Sequence, residues 1–422
     1  MSNCRVRPTF HQSDILSTAQ LLVERIDHQG PAPVLSVCPL VNEVFFSNLL
    51  HDVLREDHSL LSRAVSMKVE NFTEINEISE LFDIFTYNKG ASMVRMLSSF
   101  LSENLFISAL KSYLETFSYS NAKQDDLWRH FQMAIDDQSK IVLPATVKSI
   151  MDSWTYQSGF PVITLNVSTG VMKQEPFYLG KVKNQTLLTH NDTWIVPVLW
   201  MKNGITQSLV WLDKSSKLFP EMQISNFDHD WVILNLNMTG YYRVNYDKLG
   251  WKKLNQQLEK DHKAIPVIHR LQLIDDAFSL SKNNYIEIET ALDLTKYLAE
   301  EDEIIVWHTV LVNLLPSNFV SDVGNYDTYT LLKLCLAKHF PTLISILLLC
   351  RYGIHSLVTI MYLIGRTIST DLQVMELQQF FNPMLEEHQR LEVHAKLQAI
   401  KNENLTNKNQ SAGIAAWLRK NT

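Results

Sequence analysis

Glycine is scarce in this chain: 12 residues in 422, or about 3% where globular proteins average about 7%. Neither G-x-G-x-x-G nor G-x-x-x-x-G-K-[ST] occurs anywhere, which excludes the phosphate cradles built on such loops and argues against a nucleotide-dependent enzyme. Cysteine is scarcer still. Cys4, Cys38, Cys335 and Cys350 form no C-x-x-C pair, so neither a zinc ribbon nor a disulfide scaffold is indicated. An excess of positive charge is missing too: 38 Lys+Arg against 45 Asp+Glu give a net charge of -7, without the electrostatic footprint of nucleic-acid binding. The longest aliphatic run, Leu343 to Leu349 inside Phe340 to Cys350, falls far short of the roughly 20 residues a membrane helix needs. The first thirty residues contain no apolar core of a secretory signal. On these grounds the chain as written is expected in the cytoplasm with no membrane span. Seven N-x-[ST] sequons, at Asn71, Asn166, Asn184, Asn191, Asn237, Asn404 and Asn409, point the other way, to a secretory ancestry.

What remains is an ordinary globular composition, 46% hydrophobic, 10% aromatic and 20% charged, and a length that suggests about three domains at about 150 residues each. Between residues 89 and 117, Val94, Leu97, Leu101, Leu105, Ala109 and Leu110 recur by threes and fours, which predicts an amphipathic helix. Asn121 is expected to cap a second helix through Leu127, Phe131 and Ile135, with Asp125 and Asp126 early in it. Pro144 opens a third, with Val147, Ile150, Met151 and Trp154 on one side, and Gly159 and Pro161 stop it. After Pro161 the period falls to two. Val162–Val167, Met172–Leu179, Trp194–Met201, Thr206–Leu212 and Trp231–Leu236 read as strands of a β-sandwich, and Asn203-Gly204 between two of them is a strong hairpin signal. From Asp247 helical periodicity returns, at Trp251, Leu254 and Leu258, then Ile268, Leu271, Ile274 and Phe278, then Leu292, Leu294 and Leu298, then Val358 to Ile364. Paired helices of this kind commonly stack into an α-solenoid.

The usual catalytic signatures are absent. None of the 14 histidines is followed by glutamate, so H-E-x-x-H cannot occur. The cluster Glu386, Glu387, His388, Glu392 and His394 reads as a solvated charged face. G-x-S-x-G is missing, and Cys335 and Cys350, in apolar helical surroundings, read as inert core thiols. Tyr87, just before the first long helix, reads on its own as a packing residue whose hydroxyl finds a partner.

Its neighbours change that reading. The run Glu80-Leu-Phe-Asp-Ile-Phe-Thr-Tyr-Asn-Lys-Gly-Ala91 resembles a segment of the zinc aminopeptidases of the aminopeptidase N type that reads approximately F-D-x-I-x-Y-x-K-G-A. In that family the tyrosine stabilises the tetrahedral intermediate. Trp154-Thr-Tyr-Gln-Ser-Gly-Phe-Pro161 resembles the family's W-x-x-Q-x-G-[FY]-P junction into its β-sandwich, Gly240-Tyr-Tyr-Arg-Val-Asn-Tyr-Asp247 the segment that closes it, and Arg270 to Phe278 the start of its large helical domain. The four motifs stand in the family's order. The resemblance covers about residues 42–340 and 351–422 and skips much of the middle of the helical domain near Cys350.

The resemblance implies a multidomain α and β chain: 1–41 unassigned and loop-like, 42–158 the helical end of a thermolysin-like catalytic lobe, 159–247 a β-sandwich, and 248–422 a shortened, solenoid-like helical domain. It also implies what is not here. The family binds one zinc through H-E-x-x-H and a later glutamate, uses the glutamate inside the motif as general base, and holds the substrate's free amine with a G-x-M-E-N loop. Only Gly90-Ala-Ser-Met93 is superficially similar to that loop, without its glutamate. A tyrosine lowers the energy of an oxyanion once formed, whereas the attacking hydroxide near pH 7 needs the metal. The implied site is therefore Tyr87 alone, as a vestigial transition-state tyrosine, with no metal ligands and no cofactor. The family's N-terminal membrane anchor and extracellular setting would explain the sequons. Leu97, Leu101 and Leu105 are expected to expose apolar area that the family buries against the rest of its catalytic domain. Three readings stay open: a hydrolytically dead remnant, part of an active aminopeptidase that removes N-terminal residues from peptides, or a non-catalytic protein that binds a peptide or a homologous aminopeptidase.

Overall fold

The computed structural model describes residues 49–58, 62–67, 81–138, 141–177, 193–225 and 229–314, together with isolated helical positions from Met375 to Gln398. The expectations for residues 1–41, Cys335, Cys350, Val358–Ile364 and the sequons other than Asn166 and Asn237 lie outside these residues. The chain divides into two compact units, residues 1–291 and 292–422.

The first unit begins with helix α1 (His51–Glu56), a π-helical turn over Phe85–Lys89 and helix α2 (Gly90–Phe100). The single helix expected over 89–117 is two. Leu101 is extended, Ser102 takes ψ 151° and accepts from the Leu105 N–H at 3.4 Å, and α3 (Glu103–Thr116) starts afresh with Glu103 in its first turn. A serine cap followed by an acidic residue is what a helix N-terminus favours. The apolar stripe survives the break. Leu97, Leu101 and Leu105 are 0%, 7% and 4% exposed, so the expected bare apolar face is not found. Helix α3 packs on α4 (Gln124–Gln138), with Phe106 5.2 Å from Phe131, and α2 packs on α5 (Val147–Thr155). Phe100, at the end of α2, meets Trp211 edge-on at 5.1 Å, so these helices cover one another and lean on the strands. Helix α4 begins at Gln124, three residues past Asn121, where Asp126 accepts from the Lys123 N–H at 2.9 Å. Thr146, two residues past Pro144, caps α5.

Among the described residues nine strands follow: β1 (Pro161–Asn166), β2 (Val171–Pro176), β3 (Val196–Val198), β4 (Trp200–Lys202), β5 (Ile205–Thr206), β6 (Val210–Leu212), β7 (Ser216–Leu218), β8 (Val232–Leu234) and β9 (Arg243–Tyr246). They form a four-stranded sheet in the order β7-β2-β1-β9, a pair β3-β6, and a three-stranded sheet β5-β4-β8. Strand β9 lies parallel to β1, and the other pairings are antiparallel. The expected run Trp194–Met201 is split between two sheets. Asn203 and Gly204, at φ 53° and 78°, turn β4 into β5 with Lys202 opposite Ile205, as a two-residue hairpin with two positive φ values requires. Strand β7 was not anticipated: its Ser-Lys-Leu is largely exposed and offers no apolar alternation.

Asp247 caps α6 (Lys248–Asp261), accepting from the Gly250 N–H at 2.9 Å. Helix α7 (Val267–Lys282) is buried continuously from His269 to Leu280, ionic residues included, and packs against β9. Helix α8 (Ile288–Asp293) follows. In the second unit, a 3-10 turn (Lys296–Glu300) leads to α9 (Ile304–Leu314), and the buried Trp307 donates to the Glu301 carbonyl at 3.1 Å. No described helix is long and apolar enough to cross a membrane.

Candidate functional site

Tyr87 lies in the middle of the π-helical turn Phe85–Lys89, a rare local geometry that recurs at functional sites. Asp83 starts the turn: its Oδ1 accepts from the N–H groups of Phe85 and Thr86 at 2.9 and 3.0 Å. Arg63 grips Asp83 with both arms of its fork, Nε to Oδ2 at 3.0 Å and Nη2 to Oδ1 at 2.6 Å, and also donates to the Thr86 hydroxyl at 2.8 Å. Bidentate guanidinium–carboxylate pairs of this kind fix geometry as well as adding energy. Tyr87 itself points outward, 37% exposed, with its ring 6.4 Å from that of Phe82, which is 44% exposed.

The other end of the turn is anchored inside. Lys89 is fully buried, with its ammonium 2.8 Å from Asp57 and donating to the Gly159 carbonyl at 3.0 Å and the Gln157 carbonyl at 3.4 Å. Burial pushes the Lys89 pKa down, and Asp57 opposes the shift. Asp57 also accepts from the Ser62 hydroxyl at 2.6 Å and the Tyr241 hydroxyl at 2.9 Å. Three motifs that are far apart in the sequence therefore meet at one buried ion pair: Lys89 from the tyrosine segment, whose ammonium also donates to the Gln157 and Gly159 carbonyls of the junction, and Tyr241 from the closing segment, which donates to Asp57. Sequence reasoning missed both Asp57 and Arg63. Neither sits in a recognisable pattern, and Asp83 and Tyr241, which tie them to the motifs, lie 20 and 184 positions away.

The fourth motif joins through Arg243. This fully buried guanidinium donates to Asp275 at 2.8 Å and Asp276 at 2.9 Å, and Asp276 also accepts from the Val244 N–H at 3.1 Å. Arg55 of α1 reaches Asp275 at 2.9 Å, and His51 Nε2 lies 3.7 Å from the same carboxylate. Burial raises the Asp276 pKa to about 7 against the pull of Arg243, with Asp275 adding to the rise. For Arg243 burial works against the charge, but the two aspartates outweigh it and hold its pKa up.

Among the described residues of the first unit, no three His, Cys, Asp or Glu side chains bring ligand atoms together as a metal would need. Gly90-Ala-Ser-Met93 is the first turn of α2 rather than a loop, with Gly90, Ser92 and Met93 buried and the Ser92 hydroxyl donating to the Asn88 carbonyl at 2.7 Å. Of the cluster Glu386, Glu387, His388, Glu392 and His394, only His394 lies within the described residues; it is exposed on a helix and hydrogen-bonded to Gln378.

Two protein families match the sequence: a Peptidase family M1 domain over residues 23–154 and an ERAP1-like C-terminal domain over residues 231–335. Aminopeptidase Q (laeverin) of Acinonyx jubatus is 57% identical over 533 residues, covering 90% of this chain and 54% of its own length. Aminopeptidase Q of Homo sapiens is 56% identical over the same span. Aminopeptidase N of Oryctolagus cuniculus is 43% identical over 275 residues, 65% of this chain and 28% of its own. The chain thus spans about half the length of the aminopeptidase Q relatives. The matched span of 533 residues exceeds the chain's 422, so those relatives carry internal residues that this chain does not.

Proposed function

This chain is a homologue of the M1-type aminopeptidases, and on that premise we propose that it presents the tyrosine face of such a catalytic lobe without the means to hydrolyse peptides alone. Tyr87 is the residue that would face a substrate's scissile carbonyl oxygen. Its hydroxyl is suited to donate a hydrogen bond to an oxyanion as charge develops there. A donor of that kind lowers a barrier only when a nucleophile is generated beside it, and in this family that task falls to zinc-bound water. The observation that carries the reading is in the sequence: no histidine is followed by glutamate, so the paired zinc ligands and the general base between them are missing together. The exposure of Tyr87 supports the same view. The internal residues that the relatives carry and this chain does not support a shortened chain, and we place the shortening in the helical domain near Cys350, where the family resemblance is interrupted.

The test is elemental analysis of the purified chain by mass spectrometry, alongside hydrolysis of amino-acid arylamides. We expect no stoichiometric zinc and no turnover. One zinc per chain, with turnover that disappears in Tyr87→Phe, would overturn the proposal and restore the reading of an active aminopeptidase.

A further inference from the structure

The π-helical turn that carries Tyr87 is clamped at both ends by side chains from one short segment, residues 57–63. Arg63 holds the start through both oxygens of Asp83, the Thr86 hydroxyl and the Leu81 carbonyl at 2.8 Å. Asp57 holds the end through Lys89 and is itself fixed by Ser62 and Tyr241. A π-helical turn has poor intrinsic stability and persists where its surroundings determine it. Between the clamps only Tyr87 and Asn88 are left, and the Asn88 amide donates to the Leu49 carbonyl at 3.3 Å. Among the described residues the one ring contact made by Tyr87 is with the half-exposed Phe82. Among the described residues, none of the side chains that fix the turn belongs to a cluster of ligand atoms close enough to hold a metal.

We infer that Asp57 and Arg63 are positioning residues for Tyr87, holding it in its outward pose through Lys89 and Asp83 independently of any zinc. The inference rests on the reading of Tyr87 as an oxyanion donor and adds the machinery that aims it. Asp57 is well suited to the task, because its partners Ser62 and Lys89 both bond Gly159, just before β1, and its partner Tyr241 lies just before β9. The position of the tyrosine is thereby referred to the sheet and not to its own helix.

The test uses the full chain with 3-fluorotyrosine at every tyrosine, read by fluorine NMR, with the Tyr87 line assigned by Tyr87→Phe. Tyr119, which is 75% exposed and lies in a different loop, is the internal control. In the parent chain a single Tyr87 line is expected. In Asp57→Asn, and in Arg63→Lys, which keeps the charge but loses the fork, the Tyr87 line should shift or split. Amide exchange over residues 85–89 should accelerate by roughly tenfold as the turn opens locally. The Tyr119 line should stay in place. Should Asp57→Asn fail to fold, Asp57→Asn combined with Lys89→Met removes both buried charges and poses the same question. An unmoved Tyr87 line with unchanged exchange would overturn the inference, and so would a uniform shift of all tyrosine lines with the thermal midpoint, the mark of a merely structural role. Zinc or peptidase activity in the purified chain would sink the proposed function and leave this result standing.

Discussion

Arg243 and Lys148 each stand between two carboxylates of the first unit, at nearly the same distances. Arg243 reaches Asp275 and Asp276 at 2.8 and 2.9 Å, and Lys148 reaches Asp125 and Asp152 at 2.6 and 2.7 Å. Their surroundings differ. The Arg243 side chain is 1% exposed and that of Lys148 is 49% exposed. A pair of unit charges about 4 Å apart interacts by about 1 kcal/mol in water but by about 4 kcal/mol at the effective dielectric of a protein's partly shielded regions. In the buried cluster one cation cannot fully balance two anions, Arg55 and His51 are drawn in, and Asp276 is still pushed up towards neutrality. At Lys148 burial is slight, the two aspartates hold the charge on the ammonium, and water screens the remainder. A cation between two carboxylates thus becomes the centre of a joint between α1, β9 and α7 in one place and surface decoration in the other.

The sharpest way to break this contrast is Arg243→Met, which keeps most of the side-chain bulk and removes the charge. It leaves two carboxylates buried around a vacated centre, and the expected loss of stability is about 3–5 kcal/mol, read as a lowered urea midpoint of the full chain. A loss under about 1 kcal/mol, the range of an exposed pair, would mean that burial does not set the difference.

The same contrast explains what could be read from the sequence. Features that depend on neighbours in the chain were legible: the apolar stripe from Val94 to Leu110, the Asn203-Gly204 hairpin, and the four segments that resemble the aminopeptidases. The break at Ser102 was hidden because the stripe runs through it without a glycine or proline. Strand β7 was hidden because its exposed Ser-Lys-Leu has no pattern to show. The two clusters were hidden for a more general reason. Asp57 meets Tyr241 across 184 positions and Arg243 meets Asp275 across 32, and charges that pair at such separations leave no local period. Tyr87 could be picked out by resemblance, but its exposure and the clamps beside it needed coordinates.

A second test concerns pH. The Asp276 pKa in the folded chain, about 7, lies above its ordinary 3.8, so between those values the folded state keeps a proton that the unfolded state has released. Stability from this group is therefore present at low pH and lost as pH rises from about 4 to about 7. His269 has the opposite sign. Burial, opposed by a hydrogen bond with Gln272, lowers its pKa from 6.5 to about 4, so its contribution is lost as pH falls through that range. The two slopes oppose each other in the parent chain, and single variants separate them. Asp276→Asn should make stability rise more steeply with pH between 4 and 7 than in the parent, and His269→Leu should make it rise less steeply. Each group contributes at most about 1.4 kcal/mol per pH unit. Parallel pH profiles for the parent and Asp276→Asn would show that Asp276 is charged throughout, and that Arg243 balances both carboxylates after all.

The smallest effect is expected at Lys148, and it is the one that tests whether exposure alone silences the exposed cluster. Lys148 bridges α5 to Asp125 on α4 and pairs with Asp152 one helical turn further along α5. Both contacts are short, and by distance alone Lys148→Ala should resemble the loss of Arg243. With about half of the side chain in water, however, the ammonium exchanges two screened attractions for hydration, and its long stem regains rotamer freedom when the contacts break. The expected loss is under about 1 kcal/mol, and it should shrink as salt is raised, because the Debye length falls from about 30 Å at 0.01 M to about 3 Å at 1 M. The Arg243→Met loss should barely respond to the same salt series, since no ion reaches the buried carboxylates. A Lys148→Ala loss that is large and indifferent to salt would place the two clusters in one class, and the joint between β9 and α7 would then need another explanation than burial.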